Sequence, residues 1–264
     1  MFPMLPFPSL REVIAFALVL TRVAGIFAAL PVFGGQRIPL QIRVVAVLMI
    51  TLATFPSLSV TPPAIPTDAF ALVGLLLCEM AVGLTLAFVA QILFSAIEFG
   101  GQIIGMQMGF TMARILDPTL GGQAEIISVL QTLFATLLFL TMNVHHMFIR
   151  AIVDSFSVIP IGGWHLNNEV ITFLVVRTKD IFVLGVRLAA PVMVSLLLTS
   201  VALGVMARSF PQMNIFMVSM PLNIGIGFVV LGATLLIFFH VLEVSFGQLK
   251  GQIDMIFRLV GKGG

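Results

Sequence analysis

Tyrosine is absent from this chain, and tryptophan and cysteine occur once each, as Trp164 and Cys78. Charge is scarce as well: 9% of the 264 residues are Asp, Glu, Lys or Arg, while 59% are hydrophobic. A soluble domain carries about 25% charged residues, so this set cannot face water on all sides. With a mean hydropathy of +1.17, the chain reads as an integral membrane protein. A single cysteine excludes an intrachain disulfide framework and a cysteine-based metal site. Thirteen Lys and Arg against eleven Asp and Glu, a net charge of +2, give no polyanion-binding signature, so nucleic acid is not an expected partner.

Catalytic signatures are missing too. There is no H-E-x-x-H, no G-x-S-x-G and no G-x-x-x-x-G-K-[ST]. Asp117 has no second aspartate in a comparable break, which leaves an intramembrane aspartyl protease unsupported. The expectation is a protein that is not an enzyme and uses no cofactor or metal, with any work against a gradient energised elsewhere. The start, MFPMLPFPSLREV, lacks the basic region of a cleavable signal peptide, so the first apolar segment is expected to be retained.

What is present is a series of apolar runs. A spanning helix needs about 20 mainly apolar residues, and the runs fall near 10–30, 42–60, 69–97, 124–149, 170–205 and 222–248. Pro31, Gly34, Gly35 and Pro39 end the first, and Pro56, Pro62, Pro63 and Pro66 end the second. Thr67 and Asp68 can cap the third. Pro160, Gly162 and Gly163 separate the fourth from the fifth, and Pro211 and Pro221 bracket the gap before the sixth. The pattern predicts one α-helical membrane unit with short connections.

Three features sit badly with six independent helices in lipid. Charges lie inside the runs: Glu79, Arg177, Lys179, Asp180, Arg187 and Glu243. Each costs about 2.5–3.5 kcal/mol at a helix centre. The fifth run is too long for one span and contains Pro191, which predicts a hairpin or a kinked pair of segments. Interfacial Tyr and Trp belts, usual in membrane helices, are missing. Basic residues do not set an orientation either: Arg11, Arg150, Lys250, Arg258 and Lys262 fall on one side, Arg37, Arg43, Arg114 and Arg208 on the other. Helices packed mainly against other protein would explain these features, and so would a lipid-embedded bundle whose charges pair internally or snorkel.

Two constellations stand out. The first is GGQIIGMQMGFTMARILDPTLGG, residues 100–122. Gly101, Gly105 and Gly109 are four apart and on a helix would form one smooth face for close backbone approach. Met106, Met108 and Met112 interleave with Gln102 and Gln107, and methionine adapts its shape to what it touches. Asp117-Pro118 and Gly121-Gly122 then break the segment. Plain helix packing is one reading. A pore-facing loop or plug is the other, since irregular backbone at membrane depth is tolerated where it lines a cavity or is buried in protein. The second constellation is residues 204–227, where Arg208, Pro211, Gln212 and Asn214 lie between two apolar runs. It reads as a structured inter-helix turn, or as a gate or subunit contact.

Single residues add less. His145 and His146 are adjacent and on a helix point about 100° apart, so they do not jointly hold a metal from one face. Arg177 and Asp180 are three apart and can pair on a helix. Glu79 needs a partner from another helix or another subunit.

Both constellations occur in order, about ninety residues apart, and together they resemble the FliR family of flagellar type III export-gate proteins, whose injectisome relatives are called SctT. The carrying stretches are Gly100 to Phe110, Asp117-Pro118, and Ala207-Arg208-Ser209-Phe210-Pro211-Gln212-Met213-Asn214 with Pro221. The likeness extends over nearly the whole chain, including Arg22 and Pro31-Val32-Phe33.

The resemblance implies an all-α membrane protein of packed helical hairpins: a FliP-like unit at 1–165, including a plug loop at 100–122, then a FliQ-like hairpin and C-terminal tail at 166–264. In that family one subunit joins FliP (five copies) and FliQ (four copies) in a closed helical assembly at the centre of the flagellar basal body, in the bacterial inner membrane, largely above the expected membrane plane. FlhB and FlhA work with it, and the cargo is unfolded flagellar subunits. The resemblance assigns the plug or pore seal to Gly101, Gly105, Met106, Gln107, Met108, Gly109, Phe110, Met112, Asp117 and Pro118. It puts Arg208, Pro211, Gln212 and Asn214 at the hairpin turn near the pore entrance. Glu79, Arg177, Asp180 and Arg187 become subunit-contact charges. Alternatives are an injectisome export gate or, from another class, a secondary transporter, which would show matching broken helices in its two halves.

Overall fold

The computed structural model describes residues 9–30, 33, 38–58, 68–110, 126–164, 167–210, 212 and 214–261. Regular structure among the described residues is helical throughout. The α-helices are α1 (Leu10–Ala29), α2 (Leu40–Thr54), α3 (Ala69–Gln107), α4 (Ile126–Thr141), α5 (Val144–Val158), α6 (Asn168–Ser209), α7 (Ile215–Ala233) and α8 (Leu235–Gly261). A 3-10 turn, Phe55–Ser57, extends α2. The start of α1 is a capping box: Glu12 N–H donates to Ser9 Oγ and Ser9 N–H donates to Glu12 Oε2. That satisfies two of the donors every helix start leaves open.

Four segments are long and apolar enough to cross a membrane: Leu10–Ala29, Leu40–Ser57, Ala69–Gln107 and Asn168–Ser209. The fourth and sixth runs, expected as single helices, are broken. α4 and α5 meet at 64°, and α7 and α8 at 55°. At the first break Asn143 takes a left-handed conformation, φ 55°, which asparagine tolerates better than most residues. At the second, Thr234 sits at φ −96°, ψ 3°, and its hydroxyl donates to the Val230 carbonyl. The fifth run corrects the expectation the other way: it is one 42-residue helix that continues through Pro191. Proline costs that helix a backbone hydrogen bond, but Leu188, Ala189, Val192 and Leu196 are buried on either side of it and hold the flanking turns in place.

The chain folds into two compact units. One holds residues 1–91, 143–175 and 248–264, the other 92–142 and 176–247. The division at 165 and 166 concerns likeness to two other proteins, which a grouping by contact does not address.

In the first unit α1 and α3 cross with their backbones touching. A methyl group on Gly83 would collide with the Arg22 carbonyl oxygen, and one on Gly25 would lie 2.8 Å from the Met80 carbonyl. Arg22 is one turn before Gly25, and Glu79 one turn before Gly83, so the crossing brings the two charges together. Arg22 Nε donates to Glu79 Oε2 at 2.6 Å, with both side chains buried. Arg22 Nη1 donates to Ser155 Oγ and to the Ile159 carbonyl, and the guanidinium lies 3.9 Å over the Phe156 ring. The second carboxylate oxygen of Glu79 accepts from the Gly162 N–H at 2.9 Å. Gly162 has φ +73°, and a methyl there would lie 2.8 Å from Leu75 Cδ2, so only glycine fits this turn. Glu79 is therefore satisfied by another helix of its own chain. The subunit-contact role expected for it is corrected, because the carboxylate is buried and both of its oxygens are engaged.

Removing one member of a buried ion pair strands the other, at a cost of about 3–5 kcal/mol. Glu79→Ala should therefore lower the melting temperature of the purified protein sharply. The double variant Arg22→Met/Glu79→Leu should recover most of the loss; a double variant as unstable as the single one would show that the pair is not the source.

Candidate functional site

Residues 100–107 are helical. They form the last two turns of α3, a helix of 39 residues. The helix stops at Gly109, φ +92°, a left-handed stop that glycine adopts without strain. Met108 N–H still donates to the Ile104 carbonyl, and Gly109 N–H to that of Met106. The segment expected as an irregular loop is thus a helix end as far as residue 107. Met112, Asp117 and Pro118 lie outside the described residues.

This helix end is wedged among neighbours in the second unit. A methyl on Gly101 would collide with the Ser128 Cα of α4, and one on Gly100 would stand 2.9 Å from the Gly185 carbonyl of α6. The adjacent glycines therefore admit two different helices. This corrects the expected face of Gly101, Gly105 and Gly109. Gly101 does allow close approach and Gly105 is buried, but Gly109 is the helix stop, where a methyl would stand 3.8 Å from Met220 Cγ. Below Gly101, Ile104 and Met108 join Ile127, Ala189, Val192 and Leu196 in a buried cluster, with Phe110 packed against it.

The three methionines are not equivalent. Met108 is fully buried, and its Cγ, Sδ and Cε lie 2.7–2.8 Å from where a methyl on Gly227 would stand. It is a peg seated in a notch on α7. Met106 is 55% exposed, and Gln102 and Gln107 are exposed with it. The helix end thus has an anchored side and an open side. The anchored side also joins the two sequence constellations, through Met108 on Gly227 and Gly109 beside Met220. Arg208, Gln212 and Asn214 take no part in those contacts. Arg208 is exposed at the end of α6, Gln212 is exposed in the connection, and Asn214 precedes α7 without a side-chain cap. Pro211 lies outside the described residues.

Arg177 and Asp180 pair at 3.2 Å on α6, both partly exposed. Arg187 is exposed and lines a cavity between α4, α6 and the α7–α8 elbow. The rings of His145 and His146 lie 4.2 Å apart, tilted by 38°. Among the described residues no cluster of His, Cys, Asp or Glu could hold a metal ion. Sequence reasoning named Arg22 only as part of the family likeness, without a role, and gave none to Gly185 or Gly227. The signal for Arg22 was available, a lone base deep inside the first apolar run. Nothing local distinguishes Gly185 or Gly227 from other glycines in long helices.

Burial of a methionine is worth about 2–5 kcal/mol against alanine, so Met108→Ala should destabilise the chain by that order. Gly227→Val should do the same by ejecting the peg. In a double-mutant cycle read by thermal unfolding the two losses should overlap, because they break one contact; strict additivity would refute the peg and notch.

Comparison with known proteins gives a consistent result. Residues 13–249 match the family described as bacterial export proteins, family 1. The chain is 30% identical over 250 residues to the flagellar biosynthetic protein FliR of Bacillus subtilis (strain 168), covering 94% of this chain and 96% of that one. It is 31% identical over 241 residues to FliR of Escherichia coli (strain K12), covering 91% and 92%. For FliR of Caulobacter vibrioides the figures are 30% over 229 residues, covering 87% and 91%.

Proposed function

Since the chain belongs to the bacterial export proteins, family 1, and is an all-α polytopic membrane protein, we propose that it is a core subunit of the flagellar type III protein export gate. It helps to form and to close the channel through which unfolded flagellar subunits leave the cell. Its partners are FliP, FliQ, FlhB and FlhA, in the inner membrane at the basal body. Residues 1–165 act as the FliP-like unit and 166–264 as the FliQ-like hairpin.

The observation that carries the closing role is the two-sided helix end of α3. Ile104 and Met108 fix it in the protein, while Met106 and Gln107 are exposed. A plug needs this division: a root that does not move and a compliant surface that meets whatever passes. Met106 and Met112 seal without sequence-specific contact, which suits mixed cargo. Asp117-Pro118 ends the plug. Arg208, Pro211, Gln212 and Asn214 lie at the pore entrance, and Arg177 with Asp180 serves a subunit contact.

Deleting residues 111–120 keeps the Met108 peg and the Gly109 stop. The deleted protein should co-purify with its partners in normal amount, while the membrane becomes permeable to ions and small solutes. An intact permeability barrier in assembled deletion complexes would reject the plug. The rival reading is a secondary transporter, whose broken helices should match between its two halves; the bends at Asn143 and Thr234 both fall in the second half of the chain. Purification separates the two. A gate subunit is recovered as the single copy in a large heteromeric complex, a transporter as a monomer or symmetric oligomer.

A further inference from the structure

One line of side chains along α3 changes character partway. In the first half of the helix it is exposed and apolar, carrying Val73, Leu77, Met80 and Leu84. Further on, between Gln91 and Met106, the exposed residues are Gln91, Glu98, Gln102 and Met106, with Ser95 partly exposed among them. Steps of three, four or seven residues separate all of these, so they share one face of the helix. The polar part of that face points away from α6. Gly100 lies against the Gly185 carbonyl of α6, and Glu98 and Gln102 each stand two residues from Gly100, about 200° round the helix.

Two acids are the whole charge of α3, Glu79 and Glu98. Glu79 is buried and paired inside the chain. Glu98 is exposed, and among the described residues it has no ion pair or hydrogen bond, nor does the Gln102 side chain have a hydrogen-bond partner. A carboxylate taken out of water needs donors to replace it. An apolar surface laid along this face would satisfy neither Glu98 nor Gln102, whereas water satisfies both without a matched partner at every turn. The face also ends on Met106, the residue to which the proposed function gives the sealing surface.

We propose that Gln91, Ser95, Glu98 and Gln102 form one wall of a water-filled path leading to the seal at Met106, and that the Glu98 carboxylate makes this path selective for cations. The inference rests on the export-gate reading and adds a selectivity residue to it. When the path is open, the carboxylate raises the concentration of cations beside it and lowers that of anions. Basic stretches of a passing unfolded chain gain the same attraction, and acidic stretches are repelled.

The first test measures ion flux under a KCl gradient through membrane vesicles holding the assembled complex with residues 111–120 deleted. In that background Glu98→Gln should lower the ratio of potassium to chloride permeability about fivefold, the factor one unit charge gives at about 4 Å in water. Glu98→Lys should lower it further. Both variants should co-purify with the partner subunits in normal amount. An unchanged ratio would overturn the role of Glu98, and loss of assembly in Glu98→Gln would overturn the water-filled path in favour of an ion pair with another subunit. The second test replaces the single cysteine, Cys78→Ala, and adds Glu98→Cys, Gln102→Cys or Val194→Cys, the last at an exposed apolar position of α6. A charged methanethiosulfonate reagent is applied to both faces of opened membranes carrying the assembled complex. Positions 98 and 102 should react at least tenfold faster than 194; equal rates at all three, or none at 98 and 102, would overturn the path. The two readings fail differently. Deletion complexes that pass no ions reject the plug and leave the thiol rates to decide the path, whereas conducting complexes with unreactive thiols at 98 and 102 keep the plug and reject the path.

Discussion

The crossing of α1 and α3 is the constraint on which the first unit depends. Two glycines let the backbones touch, and the contact places a buried arginine against a buried glutamate. One guanidinium then reaches α1's neighbours Ser155 and Ile159, and one carboxylate reaches the Gly162 turn. Helices α1, α3 and α5 and the turn after α5 are tied by a single network. A buried ion pair adds little net stability over an apolar pair of the same shape. Its larger effect is on register: any slip of α1 along α3 leaves two charges unpaired in an apolar interior. In a chain with 9% charged residues, such a penalty discriminates strongly between alternative packings.

The second unit reaches close packing without charge. Gly100 meets Gly185, Gly101 meets Ser128, and Met108 fills the space over Gly227. Apolar helices in lipid gain little from burying one another, so contact has to come from shape. Glycine notches supply it. Each notch admits either a backbone or a single flexible side chain, and together they set where α4, α6 and α7 stand around the end of α3.

The proposed function rests on that arrangement. Anchoring and sealing would be divided between residues two apart in sequence, Met108 and Met106. On a helix such neighbours point to different sides, so one methionine can be core while the other stays available. The same helix ends at a glycine with positive φ. Shape-driven packing has another consequence: where α4, α6 and the α7–α8 elbow do not fit flush, a mainly apolar space remains, lined also by Gln131 and Arg187.

Much of this was legible beforehand. Six apolar runs placed the helices because a spanning segment must be long and greasy whatever it packs against. The Arg177–Asp180 pair followed from spacing alone, and the glycine-rich stretch at 100–122 was recognisable as special through local composition. The breaks at Asn143 and Thr234 were not legible, since neither residue is a strong helix breaker; the bends depend on what the helices pack against. Nor was the unbroken α6, where burial of Leu188, Ala189, Val192 and Leu196 outweighs the proline. Which methionine is peg and which is surface, and which glycines are notches, depends on the facing helix. So does the partner of Glu79, 57 residues away along the chain. Length and hydropathy of each segment are properties of a chain read one residue after another, and the sequence by itself determined those. Which side of each helix is buried, and against what, is a property of pairs of helices, and only the tertiary structure decided it.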